Sequence, residues 1–575
     1  MELRNIEVVG GGPAGLFAAR LIKDRLPRAH VRVSERTVPD ETFGFGVAFT
    51  ARTLRAVAEA DRRTFDRLLA AGVDMPAQEF RVGPASARAA GTGGAIGVAR
   101  SRLLAVLLDE ALAAGVQVEV GRERELADVA GADLVVAADG AGSRIRTALR
   151  EEFGGTIEPG RGVFLWLGCD VRISSNLFAP VFTEHGMFTI HGYPYAQDRS
   201  TLGVEADVET WRRAGMEVST IATPAAESDE YSLGYLQKAF DPVLGGAKLL
   251  ANRSRWMHFR VVSIPRWHHG NVVLIGDSAH TAHYSVGSGT KMAMEDAIAL
   301  ANALADPAAE DLSTALAAYE AARRPPVEAL QDTAIRSQRW WDSLRHRVAL
   351  PPAQLLLGYL SRGGVVSARR LAEDDPHLLA EGLAAFAGEQ PPAAALKDPV
   401  GWTLARPYRT TAVRSRNRLV DHAFAGIAPG LVREAQADRA GGAEGYLALS
   451  DNVHEIATAR TLRPNSLLIA TMAVQIDDPW GARADALVEC CRLLAEAGAD
   501  GVRFDSALGT TSPRPADPGA IRRDLLDRLA LAERLTRHAV LATVVGGPAA
   551  HADDLADAIL AGRVDLVAII PDSAD

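Results

Sequence analysis

Ile275-Gly276-Asp277-Ser278-Ala279-His280-Thr281-Ala282-His283-Tyr284-Ser285-Val286-Gly287-Ser288-Gly289-Thr290-Lys291 decides how this 575-residue chain is read. The apolar residues 271–275 read as a buried strand that ends in Gly-Asp, where a carboxylate can accept hydrogen bonds from sugar hydroxyls. Gly287 and Gly289 lead into a helical pattern through Met292, Met294, Ala297 and Leu300. Small residues entering a helix let backbone N–H groups approach a phosphate or a reduced ring anion.

A second glycine-rich turn stands at the start of the chain. Residues 6–9 read as a strand, followed by Gly10-Gly11-Gly12-Pro13-Ala14-Gly15, a helix over 16–26 and a strand over 30–34 ending at Glu35-Arg36. Strand, turn, helix and strand, with an acid after the second strand, form the dinucleotide fingerprint. Its glycines serve the turn, the pyrophosphate approach and packing, and its carboxylate serves the ribose. An ordinary βα turn needs neither Gly15 nor Glu35. Two distant segments thus address one large cofactor, read as FAD.

Length alone calls for several domains. A formal charge of −10 gives no reason to expect nucleic acid or an anionic membrane as partner. Cys169, Cys490 and Cys491 form neither a disulfide framework nor zinc spacing, so no metal site is expected and the reading is a reducing cytoplasm. No signal peptide or membrane-spanning apolar run is visible. Residues 51–72 and 101–114 read as helices, and 133–137 as a buried strand before Asp139-Gly140. Alternating runs over 163–260 predict an antiparallel sheet inserted between nucleotide-binding halves. A long helix over 319–345, interrupted near Pro325-Pro326, closes the region 1–345. A helical connector spans 346–405, with a Pro- and Ala-rich linker near 388–400. Beyond it, 406–575 alternates strands and helices as a parallel βα unit.

With these pieces placed, residues 1–345 resemble the group A FAD-dependent aromatic monooxygenases. The marks are Gly10 to Gly15, Asp139-Gly140 and Gly276-Asp277, in order. The resemblance implies an α/β fold like p-hydroxybenzoate hydroxylase, with a Rossmann-like FAD-binding domain and an inserted substrate sheet. It implies that Gly10, Gly12, Pro13, Ala14 and Gly15 approach the cofactor and that Glu35, followed by Arg36, holds the adenosine ribose. Arg100 lies near the pyrophosphate, Asp277 holds the ribityl chain, and Val286, Gly287 and Gly289 approach the flavin. Asp139 serves FAD and NAD(P)H together. NADH or NADPH reduces the flavin transiently and O2 is co-substrate, the oxygen passing to the ring from a flavin C4a-hydroperoxide.

Gly44-Phe45-Gly46-Val47-Ala48-Phe49, Asn252-x-Ser254-x-Trp256 and the 281–291 loop narrow the resemblance. In that loop Tyr284, Ser288 and Lys291 replace the commoner Pro, Gln and Asn. The combination is similar to the salicylyl-CoA 5-hydroxylase and anthraniloyl-CoA monooxygenase subgroup, which implies hydroxylation of a coenzyme A thioester para to a hydroxyl or amino group. A free or carrier-bound aromatic derived from tryptophan is the alternative. Candidates for catalysis are His283, Tyr284 and His191. Candidates for ring binding are Phe45, Val47, Tyr193, Trp256 and His258.

Pro407-Tyr408-Arg409, Asn417 to Val420, and the Gly-Val and Asp-Leu-Val strands near 501 and 565 resemble an old-yellow-enzyme-type flavin barrel. Its histidine pair is replaced by Asp505 and Leu508, and its phosphate clamp by Ile569-Ile570. About 170 residues are too few for a barrel that takes ~250. The expectation is a truncated, TIM-barrel-derived remnant without FMN or reductase chemistry, its edges covered by the catalytic region or a homodimer contact. Intact bifunctional chemistry and a non-catalytic flavoprotein remain competing readings.

Overall fold

The computed structural model describes residues 2–37, 44–75, 77–90, 94–342, 344–364 and 366–404, and beyond these chiefly the strands and helix named below. It divides into two compact units, residues 1–85 with 90–338, and residues 86–89 with 339–575.

The first unit is built on a sheet whose strands lie in the order His268–His269, Val272–Leu274, Leu134–Ala137, Asn5–Val9, His30–Glu35, Gln117–Val120. All but the first pair run parallel. Val8, Val33, Val135, Val136 and Val273 are fully buried, as expected of a parallel sheet covered on both faces. Helix Pro13–Arg25 packs against helix Gly289–Ala305.

The second sheet of this unit runs Leu249–Leu250, Thr156–Cys169, Ser200–Ala206, Gly186–Pro194, Asn176–Thr183, Ala77–Val82, with Met257–Ser263 also paired to Thr156–Cys169. The inserted antiparallel sheet is therefore present, but residues 208–244 are not strands. They fold as helices Val208–Arg213, Met216–Ala222 and Glu230–Leu244. Asp207 and Asp229 cap the first and third, accepting from Thr210 N–H and Ser232 N–H. The three helices cover one face of the sheet, burying Leu165, Leu167, Phe188, Ile190, Leu202 and Val204 with Trp211, Leu236 and Phe240. The long helix Leu312–Asp342 begins earlier than expected and continues through Pro325-Pro326.

In the second unit, strands Tyr446–Leu449, Leu467–Val474, Gly501–Ser506, Ala542–Pro548 and Leu566–Ile570 form a parallel sheet in sequential order. The expected linker at 388–400 is instead largely helical, over Ala393–Lys397 and Pro399–Leu404, with Ala395 and Val400 buried. Trp340 and Trp341 are core residues packed edge-on at 4.8 Å, both near Tyr359. Pro407 to Arg409, Asn417 to Val420 and Leu508 lie outside the described residues.

Candidate active site at the strand ends and the sheet face

Four adjacent parallel strands end on one edge of the nucleotide sheet and deliver the motif residues there. Val9 leads to Gly10, Glu35 closes the neighbouring strand, Ala137 leads to Asp139, and Leu274 leads to Asp277. Glu35 and Asp277 share this edge, separated by three strand spacings, about 14 Å. Only an elongated ligand can meet both.

Gly10 and Gly15 of the first turn are fixed by close contacts. Gly10 adopts φ +110°, and a Cβ there would stand 2.3 Å from the Ala138 carbonyl oxygen. A Cβ on Gly15 would stand 2.0 Å from the Gly10 carbonyl oxygen. Gly12 instead faces open space, as do Gly140, Gly142, Gly287 and Gly289. The Glu35 carboxylate accepts from Gly11 N–H at 2.6 Å and Thr37 N–H at 2.7 Å, which pins the acid beside the turn. Arg36 is exposed, 3.7 Å from Glu123.

The helices entering this edge have no side-chain caps. Gly12, Ala99 and Ser288 precede helices starting at Pro13, Arg100 and Gly289, and none makes a side-chain cap hydrogen bond. Their first N–H groups suit an anion. Ser288 Oγ and Asp139 Oδ1 are buried without a hydrogen-bond partner. Asp277 keeps an accessible side chain although protein surrounds it at longer range, as for a residue lining a deep cleft. Burial pushes its carboxyl above the ordinary carboxylate range, with His280 and Arg100 pulling it back. Burial likewise lowers the Arg100 guanidinium, opposed by Asp277. Open glycines, uncapped helix starts and orphaned polar atoms fit a dinucleotide such as FAD.

Further bonds tie the loops together. Asp139 Oδ2 accepts from Arg144 N–H and Ile145 N–H. Arg146 then donates to the Ser278 carbonyl at 2.7 Å, fastening the Asp-Gly loop to the Gly-Asp loop. Asp296, fully buried, accepts from Gly276 N–H, faces His280 Nε2 at 2.8 Å and receives Arg323 Nε at 2.8 Å. Burial would raise its pKa, but His280 and Arg323 outweigh that and hold it below the ordinary range. His280 is thus a structural residue of the turn.

The uncovered face of the antiparallel sheet meets the residues that follow these loops. Tyr193 donates to the Gly46 carbonyl at 3.0 Å, and burial pushes its phenol well up, so it stays neutral. Asn252 Nδ2 donates to the Gly44 carbonyl, and Arg100 N–H to the Phe45 carbonyl at 2.7 Å. A Cβ at Gly168 would strike the Phe45 ring at 2.6 Å, so Phe45 lies directly on the sheet. Val47 instead packs against the nucleotide-sheet core, as does Val286. Tyr284 stands 4.7 Å from Phe164, 5.7 Å from Phe259 and 6.5 Å from His191, ring to ring. His283 is buried, 4.2 Å from the Tyr284 ring, with Nδ1 2.9 Å from Ser285 Oγ. Phe45, His191, Tyr193, His283 and Tyr284 are therefore brought together.

Trp256 and His258 are not. Trp256 belongs to the core beneath the helices and donates its indole N–H to Ser232 Oγ at 3.0 Å. His258 pairs with Val163, a residue of that same core, and its ring packs edge-on to Trp211 at 6.4 Å. The physical reason is parity: successive strand residues point to opposite faces, so Phe259 takes the cavity side that His258 was expected to hold. Phe164, Trp166, Phe178 and Glu205 also lie on the cavity face. Their sign was alternation in register with His191, which needs the strand pairing to be read.

The fold and site together define an FAD-binding flavoprotein with an aromatic-lined sheet face beside its cofactor edge. Residues 113–334 match the model of the FAD binding domain. The chain is 41% identical over 360 residues to a salicyloyl-CoA 5-hydroxylase of a Streptomyces species, covering 62% of this chain and 69% of that protein. It is 38% identical over 374 residues to 3-hydroxy-4-methyl-anthranilyl-[aryl-carrier protein] 5-monooxygenase of Streptosporangium sibiricum, covering 64% of this chain and 97% of that one. Protodeoxyviolaceinate monooxygenase of Chromobacterium violaceum is 28% identical over 66% of this chain and 98% of its own. The chain belongs to the FAD-dependent aromatic monooxygenases, oxidoreductases that use NAD(P)H and O2.

Proposed function

We propose that this enzyme hydroxylates an aryl thioester, salicylyl-CoA in the first instance, at the ring carbon para to its hydroxyl. The carrying observation is the likeness to the salicyloyl-CoA 5-hydroxylase, together with the cluster of aromatic side chains on the sheet face beside the strand ends. The anthranilyl carrier-protein monooxygenase supports a second reading, an amino-substituted ring on coenzyme A or a carrier. Both relatives are named for oxygenation at position 5 of an aryl group carried on coenzyme A or on a carrier protein.

Bound FAD supplies the activation of O2 by electrons from NAD(P)H. The chain supplies position and surroundings. Uncapped N–H groups at Gly12, Arg100 and Gly289 suit the pyrophosphate and the reduced ring, and Glu35 and Asp277 suit the ribose and ribityl hydroxyls. Phe45, Phe164, Tyr284 and Phe259 exclude water from the ring and hold it in plane. Tyr193 and His283 border this cavity, with His283 Nδ1 held by Ser285.

The parallel unit of 406–575 is assigned a structural role, as a shortened relative of a flavin barrel. Asp505 and Ile569-Ile570 stand where that barrel would bind its ligand and FMN phosphate. Among the described residues no helix is long and apolar enough to cross a membrane. A cytoplasmic enzyme acting on small molecules, as monomer or homodimer, accords with this. The test is anaerobic mixing of the FAD-loaded enzyme with NADH or NADPH, with salicylyl-CoA or free salicylate, followed by aeration and mass analysis. Faster flavin bleaching and a product heavier by one oxygen with the thioester alone are expected. Equal turnover of free salicylate would overturn the thioester assignment.

A further inference from the structure

A glycine lies at the middle of the cavity face. Gly203 pairs with Trp166 on one side and His191 on the other, and His191 pairs in turn with Phe178. Side chains in such a row share one face, so Gly203 leaves a gap between an indole and an imidazole. A Cβ at Gly203 would meet nothing nearer than His191 Cβ at 3.8 Å. An interior strand glycine weakens a sheet, and it marks a place where something approaches the backbone closely. Trp166 is fixed as one wall, its indole N–H donating to Thr201 Oγ1 at 2.8 Å. Tyr284 stands beside His191, and Phe178 packs edge-on to it at 5.1 Å.

Glu205, two residues beyond Gly203 on the same face, places Oε1 3.3 Å from His191 Nε2. Both side chains are only slightly exposed, 12% for His191 and 15% for Glu205. A carboxylate at ion-pair distance stabilises the imidazolium when His191 takes up a second proton.

We propose that the recess over Gly203 seats the substrate ring, and that His191, beside Glu205, accepts the proton of the ring hydroxyl. This rests on the function proposed above. The substituent's O–H bond breaks, its proton goes to His191 and its electron pair enters the ring. The para carbon then forms the new C–O bond as the O–O bond of the dioxygen reduced by NAD(P)H through FAD breaks, the other oxygen leaving as water. Loss of that carbon's hydrogen restores aromaticity, and the proton on His191 returns to the substituent oxygen. Glu205 is a positioning residue in this scheme and His191 a catalytic one.

The test begins with wild-type turnover of salicylyl-CoA. None at all would overturn the substrate reading and this inference with it. With turnover established, Gly203→Ala retains fold and FAD, because the recess has room for a methyl group, but raises KM about 10-fold by occupying the seat. His191→Gln and Glu205→Gln lower kcat about 100-fold and at least 10-fold, with KM little changed. The discriminating arm uses a ring-fluorinated salicylyl-CoA whose hydroxyl ionises more readily. It restores most of the lost kcat in His191→Gln only if that residue takes the proton. An unchanged KM in Gly203→Ala overturns the seat. Equal losses with plain and fluorinated substrate overturn the proton-acceptor role.

Discussion

The parallel sheets of the two units share a construction and differ at their carboxyl ends. In the first, adjacent strands end in Gly10, Glu35, Asp139-Gly140 and Gly276-Asp277, and nearby Gly12, Gly140, Gly287 and Gly289 face open space. In the second, the strands end at Val474, Ser506, Pro548 and Ile570, with Asp505 and Gly546-Gly547 inside two of those ends rather than the Gly10, Glu35, Asp139-Gly140 and Gly276-Asp277 series of the first. Open α/β sheets bind ligands beyond the carboxyl ends of their strands, so chemistry there, rather than strand order, separates a cofactor site from a scaffold. The antiparallel sheet makes the same point between its two faces. One is Leu165, Leu202, Val204 and Ile190 under helices. The other is Trp166, Gly203, His191 and Glu205 facing the cofactor side.

The sharpest way to break that comparison is to strike both faces of the antiparallel sheet. Trp256→Ala, on the helix-covered face, should cost about 3–5 kcal/mol of stability, and urea unfolding measures it. Residual folded enzyme should keep its KM. Trp166→Ala should instead lose substrate-dependent flavin bleaching, with a smaller fall in stability. Equal stability losses with equal KM would erase the distinction between faces.

Asp296→Asn tests the clamp behind the Gly-Asp turn. It leaves Arg323 and His280 without their buried anion, a change that costs about 3–5 kcal/mol for such pairs. The pH dependence has a fixed sign. Because Asp296 is held below the ordinary carboxylate range, its stabilisation is fully present above that range and fades as pH falls through its own lower value. Thermal melts of the wild type should therefore fall more steeply in acid than those of Asp296→Asn.

Smaller effects belong to the cofactor edge. Asp277→Ala should weaken FAD binding about 100-fold, the loss of a charge-assisted hydrogen-bond set of about 2–3 kcal/mol, read by fluorescence titration of the apoprotein. Arg100→Met should weaken it about 10-fold, roughly 1.4 kcal/mol, and raise the Asp277 carboxyl further by removing the cation that opposes its burial.

The cofactor edge was legible because its signals are local. Gly15 answers to the Gly10 carbonyl five residues before it, and the acid at Glu35 follows one helix later, although Gly10 itself is confined by Ala138 on the neighbouring strand. The cavity face was only half legible. Choosing His258 rather than Phe259 is a slip of one position, which in a strand is a slip of a whole face. Glu205 carried no local mark, since its importance comes from His191 on a neighbouring strand. Asp207 and Asp229 cap two of the helices over 208–244, a local signal that the strand reading of 163–260 does not use. The proline-rich stretch near 391 reads as a linker until Ala395 and Val400 are seen buried in short helices.

The direct measurement is the identity and amount of flavin released when the freshly purified or FAD-reconstituted full chain is denatured. One FAD per chain in the wild type, falling sharply in Asp277→Ala, is the expected result. Colourless protein that takes up no FAD, or FMN released in equal measure, would contradict the assignment of the cofactor to the first unit's strand ends alone.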